Sequence, residues 1–76
     1  MSRATISAGD IDALAAKLDV WAKAQGVTSV HAFKVCRRHL STARIMATDS
    51  ARLTGIAHAH THFQIAKAAA AEKAGR

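Results

Sequence analysis

The chain has 76 residues and a mass of 8.0 kDa, which is enough for one domain and too short for a two-domain enzyme. Half of its residues are hydrophobic, but nineteen of these are alanine, so only nineteen larger apolar side chains remain to build an interior. Eleven Lys and Arg against five Asp and Glu leave a net charge of +6.

There is no proline and there are only four glycines, so few residues interrupt helices. The first predicted helix covers about residues 8–25. Ser7 serves as N-cap with Asp10 three residues later, Asp10 and Asp12 suit the positive end of the helix dipole, and Gly26 suits the C-terminal stop. Ile11, Leu14, Ala15, Leu18, Trp21 and Ala22 fall in one arc at helical spacing.

A second helix is predicted over residues 29–47, starting after Thr28 or Ser29. Ala32, Phe33, Cys36, Leu40, Ala43 and Ala47 fill one side of it, and Lys34, Arg37, Arg38, Ser41 and Arg44 occupy the other. Val27 to Val35 can also be read as a short alternating strand, but no partner strand follows. Thr48, Asp49 and Ser50 interrupt the apolar spacing and offer cap side chains, so a third helix is predicted over residues 50–73. Leu53, Ile56, His60, Phe63, Lys67 and Ala70 share one face of it, and Gly55 is a point of local weakness or a kink.

The charge is unevenly placed. Residues 1–26 balance Arg3, Lys17 and Lys23 against Asp10, Asp12 and Asp19, whereas residues 27–76 set eight basic side chains, the last being Arg76, against Asp49 and Glu72. Such a basic half points to an anionic partner, such as nucleic acid, an acidic protein surface or an anionic membrane, although a basic face also serves plain solubility. Cys36 is the single cysteine and cannot form an intrachain bridge, which fits a reducing cytoplasm. No run approaches the roughly 18–20 apolar residues that cross a bilayer, and a peripheral membrane role ranks last because the second helix has only modest apolar bulk opposite its basic stripe, so no membrane partner is expected.

Three patterns could carry function. Lys34, Arg37, Arg38, Ser41 and Arg44 recur every three or four residues and, with Arg52, could follow a row of phosphates; arginine suits this task because its planar fork holds a phosphate with two hydrogen bonds. Ala51, Gly55 and Ile56 echo a helix-turn-helix, which would make residues 57–65 a recognition helix, but Thr61 and Gln64 fall where that motif needs apolar side chains. His58 and His62 are one helical turn apart, as are Cys36 and His39, so the two pairs could in principle enclose zinc, at a spacing that matches no standard finger. No metal or other cofactor is expected, and no acid–base pair or phosphate-binding glycine loop suggests an enzyme.

The sequence therefore predicts an all-α, three-helix domain. A core this thin sits near zero net stability at ~25 cal/mol per Å² buried against ~1.5 kcal/mol of entropy per ordered residue, so a homodimer or a docked partner is expected to complete it. The favoured role is nucleic-acid binding through Lys34, Arg37, Arg38, Ser41, Arg44 and Arg52. The alternative is a module that docks onto a larger protein, inhibiting or recruiting it, through Trp21, Leu14, Leu18, Ile56 and Phe63.

Overall fold

A computed structural model describes residues 6–75; Arg3 and Arg76 lie outside them. Three helices follow one another, α1 (Ala8–Gln25), α2 (His31–Arg44) and α3 (Asp49–Ala74), and no strand occurs among the described residues. The segment that could alternate as a strand is instead a turn through Val27 and Val30 leading into α2.

The helix ends follow local chemistry. Ser7 and Asp10 form a complete capping box, each side chain taking the other's backbone N–H, and the Ser7 backbone N–H first, then its side chain, hold the Asp10 carboxyl below its ordinary range. Gly26 ends α1 at φ 70°, a left-handed conformation that side chains resist, and its carbonyl accepts a 2.7 Å bond from Lys73 Nζ at the far end of α3. Thr48 caps α3 through Ala51 N–H, an interaction worth about 1 kcal/mol.

α2 is shorter than its composition suggests, ending at Arg44 rather than near Ala47. The chain tightens there, with Ile45 N–H on the Thr42 carbonyl and Met46 N–H on the Ala43 carbonyl. Arg52 reaches back from α3 to close this end: Nε donates to Met46 O at 3.0 Å, Nη2 to Arg44 O at 3.4 Å and Nη1 to Ile6 O. Ile6 N–H in turn bonds Asp49 at 3.2 Å, so the segment before α1 is tied to the α2–α3 junction.

Seven of the twelve buried core residues are alanine: Ala15, Ala22, Ala32, Ala43, Ala59, Ala66 and Ala70. Larger side chains are few, and Ile11, Val27, Phe33, Cys36 and Leu40 complete the interior. α3 buries its alanine row (Ala59, Ala66 and Ala70) against the rest, whereas Ile56 and Phe63 are only partly covered and Leu53 is 55% exposed. Its core face is thus rotated away from the bulky arc expected from the sequence. The reason is the closeness of the α2–α3 crossing: a Cβ built on Gly55 would lie 2.6 Å from Ala43 Cβ and 3.3 Å from Ala43 Cα. Only small residues fit between the two backbones at that point. α3 runs through Gly55 without a break, which removes the turn of the helix-turn-helix echo.

Gly55→Ala sets these terms against each other. Alanine gains about 1 kcal/mol of helix propensity but overpacks a contact backed by the α2 main chain, at a cost of roughly 1–3 kcal/mol. The expected result is a lower urea midpoint for G55A; a higher one would contradict the crossing.

Candidate functional site

The basic stripe of α2 is divided by α1. Arg37 makes a two-bond contact with Asp19 (Nε–Oδ1 2.7 Å, Nη2–Oδ2 3.3 Å), and Arg44 Nε bonds Asp12 Oδ1 at 2.7 Å. Both pairs are half-exposed, and Asp12 holds the Arg44 guanidinium more firmly protonated through its hydrogen bond and its charge. Arg52 is turned to backbone carbonyls, as described above. The expectation that these arginines point outward together, unneutralised, is therefore corrected for Arg37, Arg44 and Arg52. Lys34 and Arg38 remain exposed on the outer face of α2, their side chains without a hydrogen bond or ion pair to another described residue, whereas Ser41, also exposed, borders the hollow between α1 and α2 beside Asp12, Asp19 and Arg37.

The sequence held a signal for this pairing. Asp12 and Asp19 are seven residues apart, as are Arg37 and Arg44, and in two antiparallel helices the earlier acid meets the later base. Reading α1 acids only as partners of the helix dipole hides that register.

The histidines also divide. His39 of α2 meets two α3 rings, with centroid distances of 5.3 Å to His58 and 5.2 Å to His62. His62 Nδ1 is 3.0 Å from the His58 carbonyl, and His60 bonds Gln64 away from the group. Cys36, one turn before His39, is fully buried in the core with Ile11, Ala15, Leu40, Ala43 and Ala59. Among the described residues no three His, Cys, Asp or Glu side chains are disposed to hold a metal ion. Desolvation pushes the Cys36 thiol up, against a smaller opposing effect of Arg37, so the group behaves as a small apolar side chain.

The bulky residues meet on the side where α1 faces α3. Trp21 and Phe63 pack edge to face with centroids 5.0 Å apart, a contact worth about 0.5–1.5 kcal/mol beyond its buried area. Lys67 Nζ lies 5.6 Å from the Phe63 ring centre. Below this contact the two helices part, leaving an open cleft of about 160 Å³. Leu14 and Leu18 form one wall, Ile56, Ala59, His60 and Phe63 the other, and Cys36 and Leu40 the floor. No carboxylate lines it. Four of the five interface residues read from the sequence thus line one cleft, and Trp21 closes its end through Phe63. Cys36, Leu40, Ala59 and His60 were missed because periodicity within one helix says nothing of what lies beneath a gap between two others.

Charge exchange tests the α1–α2 register. Asp19→Arg places two guanidinium groups together and should lower the urea midpoint, and adding Arg37→Asp should recover most of the loss. Equal midpoints for the single and double variants would show that the pair does not hold the helices. Comparison of the chain with protein families, with curated proteins and with solved structures finds no match.

Proposed function

We propose that this chain is a small helical docking module that takes an apolar side chain of an acidic partner helix into the cleft between α1 and α3, and so recruits or inhibits a larger protein. The observation that carries this reading is the cleft itself. At about 160 Å³ it is close to the ~150 Å³ apolar cavities that accept a benzene-sized guest, which is room for one branched or aromatic anchor. Its walls are apolar, and a helix laid along α1 and α3 would present further anchors at i+3 or i+4 to the exposed Leu14 and Leu53.

Charge selects among occupants. Lys67 lies beside the cleft over Phe63, no carboxylate lines it and the chain carries +6, so an acidic helix is attracted and a second copy of this chain is repelled. A heterologous partner is therefore favoured over a homodimer. Nucleic-acid binding is the weaker reading, because Asp12, Asp19 and backbone carbonyls engage three of the six side chains that would contact phosphate. The single free cysteine suits a cytoplasmic setting, and no helix among the described residues is long and apolar enough to cross a membrane.

Selection from a displayed library of helical peptides tests the proposal. Binders should converge on a Leu, Phe or Trp anchor flanked by Asp or Glu. Leu14→Asp, placed at a residue already 36% exposed, should abolish their binding while the chain stays folded by circular dichroism. Binders indifferent to L14D but lost with Lys34→Ala and Arg38→Ala would transfer the function to the outer face of α2.

A further inference from the structure

The imidazole group lies away from the cleft, on the other exposed seam of the molecule. His39 and His58 border the hollow that surrounds the Gly55 crossing, together with Thr42, Ala43, Met46, Ala51 and Thr54. They therefore flank the point where α2 and α3 come closest. The rings facing His39 are those of His58 and His62 from α3, and Arg38 acts on it from its own helix. Every one of these groups is either neutral or cationic. The α1 carboxylates are engaged elsewhere, Asp10 with Ser7, Asp12 with Arg44 and Asp19 with Arg37, and by helical spacing those arginines fall on the other side of α2. A proton gained by this group thus finds neighbouring rings and a guanidinium, with no anion among the residues that face it.

We propose that His39, His58 and His62 form an acid-sensitive clasp between α2 and α3, closed while the rings are neutral and opened by protonation at mildly acidic pH. Two neutral imidazoles can rest against a third, but charged ones repel it across the same 5.2–5.3 Å. The titration of His39 agrees in sign. Desolvation first, then His58, His62 and Arg38, hold its imidazole below the usual histidine value of 6.5. The unfolded chain then binds protons more readily than the folded one. The stability that the neutral ring contributes is present above pH 6.5 and is lost as pH falls through the lower folded value. α2 also supplies the cleft floor, Cys36 and Leu40, so opening the clasp would discharge a docked helix. That consequence rests on the docking reading, whereas the clasp itself is a property of the free chain.

The test is urea unfolding of the free full-length chain at a series of pH values from 7.5 to 5.0. The wild type should lose severalfold in its folding equilibrium constant across this range. His39→Gln should flatten that dependence, and His60→Gln and His31→Gln, which alter rings outside the group, should leave it unchanged. If H39Q fails to fold at pH 7.5, the paired change His58→Gln with His62→Gln takes its place. A pH dependence that survives removal of these rings, or that H60Q or H31Q erases equally, would overturn the clasp. Because the readout needs no partner, a failure here leaves the docking reading standing, and a failure of peptide selection leaves the clasp standing.

Discussion

The architecture depends on how closely α2 and α3 cross. At Gly55 the two backbones leave no room for even a methyl group beside Ala43, and farther along the same seam the contact is continued by alanine, Ala59 and Ala66 from α3 and Ala32 from α2. Alanine buries little area, so each contact contributes little by itself; short side chains stabilise a helix pair by allowing many backbone and Cβ atoms to approach within dispersion range. The bulky side chains of α3 are displaced from that seam. Ile56 and Phe63 turn toward α1, where they meet Leu18 and Trp21 without filling the space completely. The open cleft follows from the tight crossing, because a chain with so few large apolar groups cannot close both seams.

The charges follow the same division of space. α1 has less intimate packing to hold it, and its position against α2 is set by two antiparallel ion pairs, Asp12 with Arg44 and Asp19 with Arg37, with Ile11 and Ala15 behind them. Half-exposed pairs of this kind add little stability, but their geometry fixes register and rotation. Arg52 has a third role, joining the end of α2, the segment before α1 and the start of α3 through carbonyl oxygens. What looks like a uniform basic stripe in the sequence is therefore three different devices: register pairs, a carbonyl clamp, and the outward Lys34 and Arg38.

Much of the fold was legible because it is local. The capping box at Ser7 and Asp10, the left-handed Gly26 and the Thr48 cap each depend on residues within three or four positions, and α1 and α3 end within one residue of where those signals place them. The end of α2 was not legible, since Ala47 is a good helix former and the residue that closes the turn, Arg52, lies beyond it. The buried face of α3 was misplaced because bulk was taken as the mark of a core, whereas its interior is an alanine row set by the partner backbone. The interface residues Leu14, Leu18, Ile56 and Phe63 were readable as apolar arcs, but that they line one cleft with Cys36 as its floor depends on the angle between helices. His39 meeting His58 and His62 needed the α2–α3 alignment, which the spacing allowed and could not fix.

The tight crossing leaves a cleft open to a single apolar side chain. Methyl-resolved nuclear magnetic resonance of the full chain, titrated with benzene as a guest of about the cleft's volume, addresses it most directly. The expected result is saturable shifts at Leu14, Leu18, Leu40 and Ile56, while Val20, Ile45 and Ile65, which are 72%, 74% and 53% exposed, stay unmoved. Shifts spread equally over all of these methyl groups, or none at the four cleft residues, would contradict it.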